Sequence, residues 1–185
     1  MDTEKAILDA SSALLEAKGP RGLTTRAVCE AAGIKAPTLY HHFGDKEGLE
    51  LALIRRGLAD FMRRKQQALA AAEPLDQLRA GWDVALEFAL KRPSLYALLS
   101  HHVRAQPELV ADSYALMHSC VQRLVDMGRF HCTVDPAARA IWAACQGVLS
   151  LVRPGASRKD IEAVSDLLFE AVVDKLSQLR TSRAG

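Results

Sequence analysis

Four side chains that donate or accept hydrogen bonds, Thr38, Tyr40, His41 and His42, fall within one short stretch of residues 23–43, LTTRAVCEAAGIKAPTLYHHF. Lys35 and Lys46 bracket them with positive charge. Such a set suits contact with a polyanion that also carries hydrogen-bonding edges. As a helix, residues 36–43 make a rod of about 12 Å, which fits a DNA major groove roughly 12 Å wide. Leu39 and Phe43 lie four apart, on one helical face, and are expected to point inward and anchor the rod. A hairpin buried in a core would have no use for a polar row opposite those two residues.

The flanking residues dictate how that rod is held. Thr24 is a suitable N-cap, its hydroxyl accepting from a free backbone N–H of the first turn. Leu23 before the cap and Val28 after it form a hydrophobic staple. Ala27, Val28, Ala31 and Ala32 make a narrow, small-residue face. Gly33 supplies the positive φ that ends the first helix, and Ile34 can fold back onto it. Pro37 sits in the first turn of the second helix, where a missing N–H costs nothing. Gly44 ends that helix. Two short helices joined by a glycine turn are a helix-turn-helix, whose second helix normally lies in the major groove.

The pieces Gly22-Leu23-Thr24-Thr25, Ala31-Ala32-Gly33-Ile34, Thr38-Leu39-Tyr40-His41-His42-Phe43 and Asp45-Lys46-Glu47-Gly48-Leu49 resemble the N-terminal domain of the TetR/AcrR family of bacterial transcription regulators. The resemblance covers roughly the first 55 residues. It implies a homodimeric repressor that a small molecule releases from DNA. Carried over residue by residue, it implies phosphate contacts from Thr24, Thr25, Tyr40, His42 and Lys46. Lys35, Ala36, Pro37, Thr38 and His41 would face base edges, with Arg26 near the same surface. Lys35 stands where many members of the family have a small or hydroxylated cap. In exchange it could reach a guanine O6/N7 pair. Many members carry a basic arm before the first helix; the start here is acidic, so minor-groove contacts from such an arm are not expected.

The chain has 185 residues and a net charge of +2. Up to Lys46, six basic residues are matched by six acidic ones, so bulk charge lends nucleic-acid binding no support. Placement matters more: Asp2, Glu4 and Asp45 suit helix N-termini, while Arg26, Lys35 and Lys46 lie toward the proposed DNA face. No apolar run is long enough to span a bilayer, and the start does not read as a secretory signal; a cytoplasmic protein without membrane contact is the expectation. Cys29, Cys120, Cys132 and Cys145 form no CxxC pair and read as free, mostly buried thiols; thiol-based sensing is the alternative.

Periodicity makes the chain all-α: a three-helix head with a helix-turn-helix, then a helical ligand-binding and dimerisation body, about nine helices in total. A first helix over residues 3–18 places Ile7, Leu8, Leu14 and Leu15 behind the helix-turn-helix and breaks at Gly19-Pro20-Arg21-Gly22. Residues 1–46 form the DNA-binding domain and 47–185 the body. A helix over 47–72, capped by Asp45, connects the two. Within it, Arg63-Arg64-Lys65 reads as a solvated face. Prolines then punctuate helices near residues 75–89, 95–103, 110–124, 136–152 and 158–179.

The last two helices are apolar nearly all round, which demands burial on more than one side. A two-fold dimer through a four-helix bundle supplies the cover, with Ile141, Ala144, Gly147, Val148, Leu151, Val164, Leu168 and Val172 as its expected interface. The two recognition helices of that dimer would enter successive major grooves of a palindromic operator about 34 Å apart. Trp82, Phe88, Tyr96, Leu99, His102, Tyr114, Met117 and Trp142 are candidates to line an apolar effector site. No cofactor is expected.

Two other classes stay open at this point. One is a helical ligand-binding protein whose DNA head is degenerate. The other is a metal-dependent helical enzyme, for which His101-His102, His118 and His131 are the material. Adjacent helical histidines point about 100° apart and do not readily share a metal, and no HExxH or nucleophile motif occurs. No enzymatic activity is therefore expected.

Overall fold

The structure, a computed structural model, describes residues 3–68, 73–153 and 155–179. Among these the secondary structure is helical throughout, with no strand. The helices are α1 (Thr3–Gly22), α2 (Thr25–Ala32), α3 (Ala36–Phe43), α4 (Lys46–Ala68), α5 (Pro74–Lys91), α6 (Pro93–His102), α7 (Ala111–Asp126), α8 (Val134–Leu149) and α9 (Arg158–Gln178). A 3-10 turn, Pro107–Val110, leads into α7.

Boundaries differ from the sequence expectations where proline and glycine act subtly. Gly19 breaks α1 at φ 68°, but one more helical turn follows it to Gly22. α8 begins at Val134, two residues before Pro136. Pro136 is still inside the first turn, where its missing N–H has no intrahelical acceptor to lose. The connecting helix is described to Ala68; its expected last turn, residues 69–72, lies outside the described residues.

Contacts divide the chain into two compact units, Met1–Asp60 with Arg92–Leu109, and Phe61–Lys91 with Val110–Gly185. The first unit therefore holds α6 as well as the head. Leu95 shows why. It meets α4 at Gly57, where a Cβ would come within 2.5 Å of the Leu95 side chain. Its N–H donates to the Glu16 carboxylate of α1 at 3.3 Å. Arg92, the residue before α6, gives that helix no side-chain cap, so Glu16 satisfies a first-turn donor from another helix and its charge suits the positive end. Arg56 of α4 ties the same unit to α1, donating to Asp9 at 2.7 Å and to the Leu8 carbonyl at 2.8 Å.

The second unit packs α5, α7, α8, α9 and the last turns of α4. Trp82 is 4% exposed, and its indole N–H donates to Ser165 Oγ at 2.7 Å. The ring meets Phe169 edge-on at 5.3 Å. A buried tryptophan needs such a partner for its one donor. Around it the cores of α7 and α8, including Met117, Val121, Leu124, Ile141 and Val148, are buried. Ion pairs rim the outside: Arg79 with Asp83 and Asp166, and Arg158 with Glu87 and Glu162.

Among the described residues, one buried polar side-chain atom lacks a partner. Ser11 of α1 is fully buried, and its Oγ has no hydrogen-bond partner. A buried hydroxyl without a partner costs about 1–3 kcal/mol of desolvation, so Ser11→Ala is expected to raise unfolding free energy by about 1 kcal/mol. Urea unfolding checks this; an unchanged or lower midpoint would show the hydroxyl to be satisfied.

Candidate nucleic-acid interface

The polar row of α3 is presented by a frame whose every joint is local. Thr24 caps α2, its Oγ1 accepting from the Ala27 N–H at 3.2 Å. Leu23 and Val28, the staple pair, are both 0% exposed. Gly33 adopts φ 64°. Its N–H reaches the Glu30 carbonyl at 3.3 Å while the Ile34 N–H reaches Cys29 at 3.0 Å, the paired bonds of a Schellman turn. α3 then starts at Ala36 with Lys35 as a cap that makes no side-chain hydrogen bond. It ends at Gly44, φ 77°, whose N–H donates to the Tyr40 carbonyl at 2.8 Å.

One side of α3 is sealed and the other open. Leu39 is 0% exposed, Phe43 half-buried, and Tyr40 is 46% exposed. His41, His42, Lys35 and Pro37 are exposed, as are Thr24, Arg26 and Lys46; Thr25, Ala36 and Thr38 are half-buried. All the residues expected to touch DNA thus belong to the first unit, and none of them is buried. The imidazoles of His41 and His42 meet edge-on at 5.4 Å.

Three further residues position this surface: Asp45, the cap expected from the sequence, and Gly48 and Glu50, whose roles the sequence reading missed. Asp45 Oδ1 accepts from the Gly48 N–H at 2.7 Å, capping α4. A Cβ on Gly48 would come within 1.9 Å of the Phe43 carbonyl oxygen, so only glycine lets the end of α3 seat against the first turn of α4. A glycine inside a predicted helix, where it is intrinsically unfavourable, was the available signal. Glu50 joins Lys46, at 3.4 Å, to His102 of α6, at 2.9 Å. His102, an expected effector-site residue, is 7% exposed and bonded to that carboxylate.

The remaining candidates separate. Tyr96, Leu99 and His102 lie in the first unit, and Trp82, Phe88, Tyr114, Met117 and Trp142 in the second. In the second, Tyr114 meets Trp142 edge-on at 5.4 Å and Phe88 meets Phe61 at 5.2 Å. Of the expected dimer residues, Gly147, Leu151 and Val164 are exposed and Ala144, Leu168 and Val172 half-buried. Ile141 and Val148 are a correction: at 2% and 1% exposed they belong to the core of a single chain. α8 buries Ile141, Val148 and Leu149 together with Ala137 and Ala138, and leaves Ala140, Ala143 and Gly147 exposed. Leu167, 66% exposed, is an apolar surface residue that the expected interface omitted.

Arg63-Arg64-Lys65 is also corrected. The two arginines are exposed, but Lys65 is buried at 4% and donates to Ser113 O at 3.1 Å and Oγ at 2.8 Å. Successive helical residues turn by about 100°, so one member of a cationic run can face inward. The cysteines are free; burial raises the Cys132 thiol and pushes that of Cys145 up to about 12, which keeps Cys145 protonated at neutral pH. Among the described residues no three His, Cys, Asp or Glu side chains gather as metal ligands, and no helix is long and apolar enough to cross a membrane.

Comparison with known proteins agrees with this geometry. Residues 7–53 match the family of bacterial regulatory proteins called the tetR family. Residues 78–176 match the tetracyclin repressor-like C-terminal domain. A similar relative is the HTH-type transcriptional repressor KstR2 of Rhodococcus jostii (strain RHA1), 31% identical over 171 residues that span 91% of this chain and 73% of that one. In fold, a protein of unknown function from Rhodococcus sp. RHA1 superposes with a TM-score of 0.80 at 21% identity, covering 96% of this chain and 97% of its own. The Bacillus subtilis transcriptional regulator FadR, solved in complex with stearoyl-CoA, does so with a TM-score of 0.77 at 16% identity, covering 91% and 97%. With both of its halves matched and its α3 surface exposed, the chain belongs to the TetR family of DNA-binding transcriptional regulators.

Proposed function

We propose that this regulator is a cytoplasmic repressor. It binds a palindromic operator as a two-fold dimer and leaves it when a small apolar effector occupies the body. The observation that carries the DNA half of this reading is the contrast across α3, with Leu39 at 0% and Tyr40 at 46% exposure. In this assignment Thr24, Thr25, Tyr40, His42 and Lys46 grip phosphates. Lys35, Ala36, Pro37, Thr38 and His41 face base edges, Lys35 as a candidate for guanine. Residues 1–46 contact DNA, residues 47–185 hold effector and partner, and the helix beginning near residue 47 links them.

The dimer half rests on exposed apolar surface. Leu151 of the turn after α8 and Val164 and Leu167 of α9 are exposed at 38%, 36% and 66%, and Gly147 leaves room for close helix approach on the same stretch of α8. A second copy covers them in a four-helix arrangement. The TetR fold, as a family, pairs such dimers with small-molecule effectors. An effector acts here by favouring a dimer shape in which the two α3 helices fall out of step with the grooves. It shifts the balance only by its differential affinity for the two shapes. Lys46, Glu50 and His102 join the start of α4 to α6 and offer a route along which such a change reaches the head.

Three outcomes test this. In salt-titrated gel shifts on selected operator fragments, Tyr40→Ala weakens binding to every sequence and leaves the salt slope unchanged, because the group lost is a neutral hydroxyl; Lys35→Ala costs about 1–3 kcal/mol and relaxes preference at one base pair. Parent-like binding by both variants would remove α3 from the interface. Gly48→Ala tilts α3 off α4 and abolishes specific binding while circular dichroism stays helical; retained operator affinity would mean that the contact is dispensable. Leu167→Glu places a charge in the proposed interface, and light scattering at micromolar concentration should then report monomers with lost operator affinity. If the parent itself is monomeric, the dimer assignment fails.

A further inference from the structure

Lys65 is the one lysine or arginine that is buried among the described residues. Burying an ammonium costs several kcal/mol unless an anion meets it; Arg56, Lys91 and Arg158 meet carboxylates at the surface, and Arg123, which donates to Gln77 and the Ser119 carbonyl, is exposed. The two acceptors of Lys65 are the carbonyl and hydroxyl oxygens of a single neutral residue, Ser113. An ammonium has three protons, and among the described residues no carboxylate pairs with it. Ser113 also lies in the first turn of α7, the positive end of a helix, where a cation is disfavoured.

The surroundings are apolar and leave the stem room. The Phe61 ring lies 5.6 Å from Nζ. Gly81 of α5 faces the lysine, and a Cβ there would stand 3.3 Å from Cε. Cys145 of α8 and Cys120 of α7 are near enough to influence its charge. Desolvation lowers its pKa to about 8, so the charged form still prevails at neutral pH. Tyr114, next to Ser113, pairs with Trp142, one turn before Cys145, and both rings are only half-buried. For stability alone, a methionine or leucine would fill this position better.

We propose that Lys65 and Ser113 form an anion subsite in the body, which takes the carboxylate of a small apolar monoacid while its hydrocarbon part lies against Phe61, Tyr114 and Trp142. This deepens the effector role proposed above and rests on it. The ammonium is uncompensated without ligand and paired with it, so the acid is favoured over its neutral analogue by the strength of a charge-assisted hydrogen bond, about 10- to 100-fold in affinity. Ser113, freed from one bond, can donate its hydroxyl to the second carboxylate oxygen.

The test uses the full chain and matched probes: sodium benzoate, phenylacetate and decanoate against benzyl alcohol, 2-phenylethanol and decan-1-ol. At least one acid should raise the melting temperature of the parent where its alcohol at equal concentration does not. In Lys65→Met that advantage disappears, while the unliganded variant melts at or above the parent's temperature. The subsite is overturned if no acid outperforms its alcohol on the parent, a comparison that needs no variant. It is equally overturned if Lys65→Met keeps the acid preference or melts lower than the parent, since the lysine would then be structural. Gel shifts run alongside separate the two readings. Specific DNA binding without any acid effect removes only the subsite, whereas absent DNA binding removes the regulator assignment whatever the acids do.

Discussion

No side chain fits between the end of α3 and the first turn of α4. The Phe43 carbonyl occupies the space that a Cβ on Gly48 would need, and Asp45 closes the junction by capping the Gly48 N–H. This steric constraint fixes the angle at which α3 leaves the head. Leu39, sealed beneath, prevents the rod from rolling. Together they turn a two-turn helix, too short to be stable alone, into a rigid blade with a polar edge. Exposure of Tyr40 and the histidines is a consequence of that seating.

The first unit is wider than the DNA-binding motif. Glu16 reaches α6, Arg56 reaches α1, and Gly57 lets Leu95 press against α4. These contacts tie together α1, α4 and α6, which lie far apart in the sequence, and Glu16 satisfies a donor that α6 leaves open. α6 thus belongs to the unit that carries α3, and the carboxylate of Glu50 sits between a lysine at the proposed DNA face and a buried histidine.

The second unit keeps its polar contacts inside for orientation and its charges outside. Trp82 and Ser165 lock α5 to α9 with one bond, while the arginine and aspartate pairs on the rim are worth about 0–1 kcal/mol each. Lys65 departs from this division. A cation in the interior with only neutral oxygens around it is a cost that packing does not explain.

What was legible in the sequence was whatever short-range chemistry controls. Thr24, Gly33, Pro37, Gly44 and Asp45 set caps, turns and helix ends through bonds spanning a few residues, and the structure repeats them. The burial of Leu23, Val28 and Leu39 followed from helical spacing in the same way. What only the tertiary structure decided were choices between two locally equivalent faces. α8 is apolar on both sides, and its period alone could not tell that Ile141 and Val148 face its own chain while Gly147 is open. Arg64 and Lys65 are adjacent cations with the same propensity, yet one is exposed and the other buried against Ser113, 48 positions away in sequence. A helix specifies its own stripes from neighbouring residues, but which stripe is covered depends on partners that meet it only after the chain has folded back.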